Sequence, residues 1–286
     1  MATRPDENLT DEAARRWATA HSPRTGELMT ALVRHLHAFA REVDLTADEW
    51  MAAMDWLTRT GQISNEKRQE FILASDVLGL SSLVVQLNHR FDERATPATV
   101  LGPFHIDGSP TVEWGFDMSD GLPGTPLFIV GRVTDLAGRP VPHAVLDVWQ
   151  ADVDGMYESQ LPEVDEARLR AKFRAREDGT YCVRTIVPLG YTIPMDGPVG
   201  DLIARTDISE YRPAHVHFLL EEPGYEKLVT HLFPAGTEYL DTDVVFGVKD
   251  ALVTPFAEHG PGPSPDGRVM DRAFMVARYD FVLQPR

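Results

Sequence analysis

Two histidines separated by a single residue are the best candidates for chemistry in this sequence. His215 and His217 lie within the apolar run of residues 214–220. A β-strand alternates its side chains between two faces, so both imidazoles should project to one side while Val216 points to the other. Burying two imidazoles costs free energy unless something binds them, and a transition metal is the commonest partner. The pair therefore predicts a metal site, with two half-exposed strand histidines as the alternative.

Two tyrosines are the further candidate ligands, because the sequence has no nearby cysteine cluster, no HExxH helix and no glycine-rich phosphate loop. Tyr157 follows a strand-like stretch, and Tyr191 lies in a loop rich in glycine and proline. Functional side chains commonly occupy such positions on a rigid scaffold. For each tyrosine alone, a packed aromatic with a hydrogen-bonded hydroxyl is the competing interpretation.

The first third of the chain is predicted to be helical. Apolar residues recur every three to four positions from Leu28 to Val43, which is typical of an amphipathic helix. Thr46 and Glu49 have the spacing of a capping box that begins a second helix. A third helical segment is expected over residues 66–87, with Asp76 interrupting its apolar face.

Strands are predicted beyond Pro97, where turn residues separate short runs rich in β-branched side chains. The expected strands cover residues 127–134, 144–150, 180–187, 214–220, 228–233 and 272–283. Helices followed by strands, without alternation, predict a mostly β fold with an α-helical N-terminal part. We expect a helical region over residues 1–105 and an antiparallel β-sandwich over residues 106–286.

Composition narrows the possible partners and the location. The chain has 27 Lys and Arg against 44 Asp and Glu, and this net charge of -17 argues against nucleic acid and anionic membranes as partners. The single cysteine, Cys182, is expected to be a structural thiol. Residues 1–7 lack the apolar core of a signal peptide, and no run is long and apolar enough to span a bilayer. We therefore expect a cytoplasmic protein without membrane insertion.

Several segments in order along the chain resemble the intradiol ring-cleavage dioxygenases, the catechol 1,2-dioxygenase family. The matching segments are residues 127–134, 138–141, 147–157, 190–198 and 212–217. In that family one non-haem iron(III) per chain is held by two tyrosinates and two histidines. By this resemblance the ligands are Tyr157, Tyr191, His215 and His217.

Phenolate is a hard anionic ligand, and two of them favour iron(III) over iron(II). A ferric centre is expected to activate the organic substrate, an aromatic diol, for attack by O2. The resemblance makes Tyr191 the displaceable ligand that takes up a proton of the diol, and makes Arg212 the cation that stabilises negative charge on the substrate.

Residues 68–79, 100–104, 227–233 and 241–248 resemble the hydroxyquinol 1,2-dioxygenase branch. This implies benzene-1,2,4-triol as the substrate and 3-hydroxy-cis,cis-muconate, the enol form of maleylacetate, as the product. Catechol, or a chlorinated or alkylated catechol, is the alternative substrate. His231 stands where catechol-cleaving members usually have glutamine, and it is a candidate acid-base helper.

The resemblance also indicates the walls of the substrate pocket. The expected residues are Leu73, Val100, Leu101, Gly102, Pro103, Phe104, Ile193, Pro194, Arg212 and Val245. A carboxylate on the inner face of a helix needs a partner, so Asp76 is expected to accept a bond either from the third substrate hydroxyl or from a helix start or an arginine.

Family members dimerise through their N-terminal helices and can hold a phospholipid between them. The stripe from Leu28 to Val43 is therefore expected to pack on a second copy, with packing inside its own chain as the alternative. Two other functions compete with the dioxygenase hypothesis: a non-enzymatic transthyretin-like binding module, and a zinc hydrolase built on the two histidines.

Overall fold

The protein is described here by a computed structural model that covers residues 5–161 and 167–286. Residues 1–4, part of the segment used above to predict a cytoplasmic location, lie outside the described residues. The chain divides into two compact units, Met1–Arg59 and Thr60–Arg286. The helices in the described part are α1 Pro5–Trp17, α2 Pro23–Glu42, α3 Ala47–Ile63, α4 Glu70–Val77, α5 Leu80–Asn88 and α6 Pro198–Ile203.

Local capping explains where α2 and α3 begin. The Ser22 side chain accepts a hydrogen bond from the backbone N–H of Thr25, and Pro23 occupies the first helical turn. At α3, Glu49 accepts from the backbone N–H of Thr46 at 2.9 Å, and the Thr46 hydroxyl accepts from the N–H of Glu49 at 3.3 Å. These reciprocal bonds are the capping box that the sequence predicts.

The single helix expected over residues 66–87 is wrong in one respect, because the structure has two helices there. Gly79 lies between α4 and α5 with φ of 72°. This left-handed conformation suits glycine and ends a right-handed helix. The break turns α5 by 79° relative to α4.

Fourteen strands lie within the described residues. They are β1 Pro126–Asp135, β2 Val145–Trp149, β3 Arg170–Arg174, β4 Thr180–Ile186, β5 Tyr191–Thr192, β6 Tyr211–Arg212, β7 Val216–Glu221, β8 Leu228–Pro234, β9 Val253–Thr254, β10 Phe256–His259, β11 Gly262–Pro263, β12 Val269–Met270, β13 Phe274–Arg278 and β14 Phe281–Leu283. One sheet has the order β3-β2-β7-β8-β9, and the other has the order β10-β13-β1-β14 with β4 also paired to β1. The predicted β-sandwich with a helical N-terminal part is confirmed.

Most of the strand pairs are antiparallel, as expected, but β1 pairs in parallel with β13 and β14, and β8 with β9. The last predicted strand, residues 272–283, is two strands. A Cβ atom on Gly131 of β1 would lie 1.8 Å from the carbonyl oxygen of Tyr279, so the chain between β13 and β14 crosses where only glycine leaves room.

The hydrophobic core lies between the two sheets. Strand side chains that point away from this core are the ones that can form a site. Val216, Phe218 and Leu220 of β7 are fully buried in this core. His217 and Leu219 alternate with them and therefore face away from it. The alternation predicted for this strand is observed from Val216 onward, whereas His215 lies just before the first residue of β7.

The structure divides into compact units at residue 60, whereas the sequence predicted a boundary between helices and strands near residue 105. Helices α4 and α5 belong to the unit Thr60–Arg286 together with the sheets, and α4 contacts α6. The segment up to residue 105 is thus helical in part, yet its second half packs with the β domain.

Within the described residues, no single helix is long and apolar enough to cross a bilayer, and the bent pair of α4 and α5 reaches that length and composition only jointly.

Candidate functional site

A row of three aromatic side chains crosses the first sheet on the face away from the core. His217 of β7 lies opposite Trp149 of β2 on one side and His231 of β8 on the other. Directly opposite residues of antiparallel strands project to the same face. The indole of Trp149 stacks on the His217 ring with centroids 4.7 Å apart, which fixes the plane of that imidazole.

The two tyrosines reach this row from the loops. Tyr157 follows the turn after β2, and its backbone N–H donates to Gln160 Oε1 at 2.9 Å. Tyr191 begins β5 and pairs with Arg212 of β6. Gly155, with φ of 76°, allows their close approach, because a Cβ atom there would lie 2.6 Å from Tyr191 Cβ.

Four donor atoms converge at the end of these elements. Tyr157 Oη lies 3.0 Å from His217 Nε2 and 3.1 Å from Tyr191 Oη. His215 Nε2 lies 3.0 Å from His217 Nε2 and 3.4 Å from Tyr191 Oη. Donors bonded to one first-row metal at about 2.0–2.2 Å are about 3.0–3.4 Å apart for angles between square and tetrahedral. The four atoms therefore fit a single metal ion.

The protonation of the histidines suits metal binding. His215 Nδ1 lies 2.7 Å from the carbonyl oxygen of Pro213, to which it donates when protonated, leaving the Nε2 lone pair for the cluster. Burial, followed by the charge of Arg212, lowers the pKa of His215 well below its usual value. Burial and the neighbouring His231 and His215 do the same to the pKa of His217. Both rings are neutral at physiological pH, as metal ligation requires.

Both tyrosine hydroxyls favour the protonated form when no metal ion is bound beside them. Burial raises the pKa of Tyr157 well above its usual value, and Tyr191 raises it further. Burial also raises the pKa of Tyr191, which Arg212 opposes. A bound multivalent cation reverses this preference and stabilises phenolate.

Arg212 is a buried cation beside the cluster. Burial lowers its pKa, but the charge of Asp243, followed by Tyr191 and Tyr157, outweighs burial and raises the pKa above its usual value. Arg212 Nε donates to Asp243 Oδ1 at 3.2 Å, and Nη1 lies 3.0 Å from His215 Nε2. Nη2 is buried and has no hydrogen-bond partner.

His231 and Asp76 bring further unpaired polar atoms to this region. Neither ring nitrogen of His231 makes a hydrogen bond of normal geometry, and burial and Arg212 lower its pKa well below the usual value. Asp76, on α4, is 2% exposed, and its Oδ1 has no partner. Burial raises the pKa of Asp76, while a hydrogen bond with the Ser81 side chain opposes it. Asp76 Oδ1 is therefore an available acceptor beside the first turn of α5.

An open cavity of about 1020 Å³ lies next to the cluster. Of the predicted site residues, Leu73, Pro103, Phe104, Tyr191, Ile193 and Pro194 line it. Gly102 lies against the His217 ring, since a Cβ atom on Gly102 would be 3.5 Å from His217 Cε1. The backbone N–H of Val245 donates a hydrogen bond to the Asp243 side chain. The lining does not include six other predicted pocket residues, Asp76, Val100, Leu101, Gly102, Arg212 and Val245. Val100 is buried, whereas Leu101 is 40% exposed.

Sequence reasoning missed a buried ion pair that supports Tyr157. Arg170 of β3 pairs with Glu158, and its Nη2 donates to the Phe104 carbonyl at 2.9 Å. Phe104 in turn stacks on Tyr157 with centroids 4.4 Å apart. The charges of Glu158 and Arg170 are visible in the sequence, but their burial is not.

Among the described residues, no group of three or more His, Cys, Asp and Glu side chains is arranged to hold a metal ion. A zinc hydrolase usually adds a third histidine or a carboxylate to a histidine pair, and no such arrangement is found among these residues.

Comparison with known proteins agrees with this arrangement. A family model described as Dioxygenase matches residues 100–285, and one described as Catechol dioxygenase N terminus matches residues 22–96. The 6-chlorohydroxyquinol 1,2-dioxygenase of Cupriavidus pinatubonensis is 47% identical over 278 residues, which is 97% of each chain. The hydroxyquinol 1,2-dioxygenase of Nocardioides simplex is 45% identical over 281 residues, 98% of this chain and 96% of the relative.

Among solved structures, hydroxyquinol 1,2-dioxygenase from Pseudomonas putida superimposes with a TM-score of 0.90 at 43% identity, over 98% of this chain and 99% of that one. The fold, the two family models and the full-length similarity agree with the resemblance found in the sequence. The chain therefore belongs to the intradiol ring-cleavage dioxygenase family.

Proposed function

We propose that this chain is an iron(III)-dependent dioxygenase that cleaves hydroxyquinol, benzene-1,2,4-triol, between its two adjacent hydroxyl-bearing carbons. The product is 3-hydroxy-cis,cis-muconate, the enol form of maleylacetate. The observation that carries the proposal is the convergence of Tyr157 Oη, Tyr191 Oη, His215 Nε2 and His217 Nε2 within 3.4 Å of their neighbours. The names of the relatives at 47% and 45% identity support the substrate.

The donor set favours iron(III), one per chain. Two phenolates are hard anionic ligands that match a ferric ion, and two neutral imidazoles complete the set. Bound iron(III) would draw electron density from a chelated diol and so make the ring reactive toward O2.

Tyr191 is the ligand best placed to exchange with the substrate. It lines the cavity, whereas Tyr157 is 1% exposed beneath the stacked ring of Phe104. As a phenolate released from the metal, Tyr191 Oη would regain its high proton affinity and accept one proton of the diol.

Arg212 would stabilise negative charge that develops on the substrate. Its Nη1 lies 3.0 Å from His215 Nε2 at the edge of the cluster, and a preorganised cation in a dry site stabilises such charge strongly. His231 lies beside His215 and His217 with ring centroids 5.1 and 4.2 Å away, where it can exchange a proton with a bound group through Nδ1 or Nε2.

Asp76 would select the third hydroxyl. Its unpaired Oδ1 is an acceptor buried near Arg212, and a donor from the substrate would satisfy it. A chlorinated hydroxyquinol is a second candidate substrate, because one relative is named for 6-chlorohydroxyquinol.

Membership in an enzyme family leaves no support for the transthyretin-like binding module. For the assembly, we propose that a second copy covers the exposed apolar stripe of α2, with a phospholipid as a further occupant. The regions 1–105 and 106–286 remain our proposed helical dimerisation region and catalytic domain, and the cytoplasmic location remains a prediction.

The test combines metal analysis with steady-state kinetics. Purified protein should contain about one iron per chain and show a visible tyrosinate-to-iron(III) absorption band that changes when Tyr157 or Tyr191 is replaced by Phe. Its kcat/KM should be at least about tenfold higher for hydroxyquinol than for catechol. A factor of this size is expected because catechol lacks the hydroxyl that would donate a hydrogen bond to the charged Asp76. A colourless, iron-loaded protein would contradict the ligand set. A preference for catechol would contradict the substrate alone, and stoichiometric zinc with activity would contradict the metal.

A further inference from the structure

Asp243 is a buried carboxylate whose hydrogen bonds all lie within the site region. It is 7% exposed. Its Oδ1 accepts from Arg212 Nε at 3.2 Å and from the backbone N–H of Val245 at 3.3 Å. Its Oδ2 accepts from the backbone N–H of Gly247 at 2.9 Å. One side chain thus anchors both an arginine and the turn that follows it.

The anchoring determines which edge of Arg212 faces the cluster. A guanidinium is planar, so a bond at Nε restricts where the two Nη atoms point. Backbone pairing of Arg212 with Tyr191 fixes the other end of the side chain. With Nε held by Asp243, Nη1 lies 3.0 Å from His215 Nε2 and Nη2 is left without a partner.

At Gly247 the turn that follows Asp243 packs tightly against the side chains of the site. A Cβ atom there would lie 3.0 Å from Asp243 Oδ2, 3.2 Å from Arg212 Nη2 and 3.5 Å from His231 Nδ1. The bond from Gly247 to Asp243 therefore closes the turn directly over the guanidinium. The position of Val245, an expected pocket wall, depends on the same carboxylate.

We propose that Asp243 is a positioning residue that holds the Arg212 guanidinium with Nη1 facing the four-donor cluster, where the diol would bind. The proposal rests on the function proposed above and adds a residue to which no role has been given. Asp243 acts through Arg212 and does not contact the substrate itself. Its loss should leave Arg212 charged but misdirected, which affects the reaction more than the binding of the diol.

The test compares Asp243→Asn with Asp241→Asn in the iron-loaded enzyme. Asp241 lies on the same loop but is exposed, so its substitution removes the same charge without the anchor. For hydroxyquinol, Asp243→Asn should lower kcat about 10–100-fold with KM changed less than about threefold, since a misaligned donor costs part of what a deleted one does. Asp241→Asn should match the wild type.

A double-mutant cycle separates positioning from a general loss of structure. In an Arg212→Gln background, adding Asp243→Asn should change the remaining kcat by less than about twofold, because the residue through which it acts is gone. An anaerobic titration should show hydroxyquinol binding to Asp243→Asn with nearly the wild-type Kd. The proposal would be overturned if the two substitutions lowered kcat independently, so that their effects multiplied in the double variant. It would also be overturned if Asp243→Asn had the same kcat as Asp241→Asn.

If Asp243→Asn does not fold, Asp243→Glu keeps the charge and displaces the carboxylate. It should also lower kcat without changing the anaerobic Kd, and a wild-type kcat would overturn the proposal. A wild-type enzyme that fails to cleave hydroxyquinol would instead contradict the proposed function, so the two failures are distinguishable.

Discussion

The buried carboxylate of Asp76, which we propose to recognise the third hydroxyl, also affects the stability of the fold. Burial raises its pKa above the usual 3.8. A carboxyl group whose pKa is raised by folding stabilises the fold fully below its unfolded pKa, and this contribution is lost as pH rises through the folded pKa. This carboxyl group therefore contributes less stability to the substrate-free protein as the pH rises.

We expect Asp76→Asn to reveal both effects. Because asparagine does not titrate, Tm of the variant relative to the wild type should increase from about pH 4 to about pH 8. The ratio of kcat/KM for hydroxyquinol over catechol should fall about tenfold or more, the value of a hydrogen bond to a charged group. Thermal scans and the two-substrate assay measure these outcomes, with Asp241→Asn as the control. An unchanged ratio would remove Asp76 from substrate recognition.

Residues close in the sequence were easier to predict than those that meet only in the fold. His215 and His217 are two positions apart, so the alternation expected of a strand predicted their shared side, although His215 lies just before β7. Their positions made Tyr157 and Tyr191 candidates, but only the family resemblance assigned them as ligands, because no periodicity links the two. Asp243 lies 31 positions from Arg212, and only the folded turn brings the two together.

At the scale of elements, the contact of Gly131 with Tyr279 controls the junction of β13 and β14. A Cβ atom on Gly131 would lie 1.8 Å from the Tyr279 carbonyl oxygen and 2.6 Å from its carbon, and both are backbone atoms that cannot rotate away. Both C-terminal strands pair with β1 on either side of this point.

We expect Gly131→Ala to destabilise the β domain by about 2–4 kcal/mol, the usual cost of severe overpacking. Scanning calorimetry should show a Tm lowered by roughly 5–15 °C at about 2–4 °C per kcal/mol. Gly260→Ala is the matched control, because nothing lies within 4 Å of its added Cβ. A Tm equal to that of this control would show that the crossing can shift without cost.

The helices and most strands were predictable because their patterns are local, whereas the breaks were not. The chain has 21 glycines. Nothing in the sequence shows that Gly79 is the one with a left-handed conformation between two helices, or that Gly131 is the one approached closely by another backbone segment. The parallel pairing of β13 and β14 with β1 is likewise set by the path of the chain and not by strand composition.

At the scale of the whole molecule, the apolar stripe of α2 is the surface that we propose a second copy covers. Leu28, Leu32, Leu36 and Phe39 follow one face of the helix and are each about half exposed, between 48 and 55%. A contiguous apolar stripe of this kind marks an interaction surface. Packing within the chain, which the sequence left as the alternative, covers only about half of each of these side chains.

We expect Leu36→Glu to dissociate a dimer formed through this stripe. A carboxylate buried without a partner should raise the dissociation constant at least about 100-fold. Light scattering after size exclusion would measure the mass of each variant. Ala38→Glu adds the same charge at an exposed position off the stripe and should remain dimeric. A wild-type protein that is monomeric would contradict the proposed assembly, and lipid extraction would show whether a phospholipid is bound.

The one cysteine of the chain has a practical consequence. Cys182 is buried on β4, and burial raises its pKa to about 12, so almost no thiolate forms at neutral pH. A cysteine introduced at an exposed position, such as Ala38→Cys, would be the one reactive thiol of the native protein. Spin labels or dyes attached there would report the distance between two copies without removal of the natural residue.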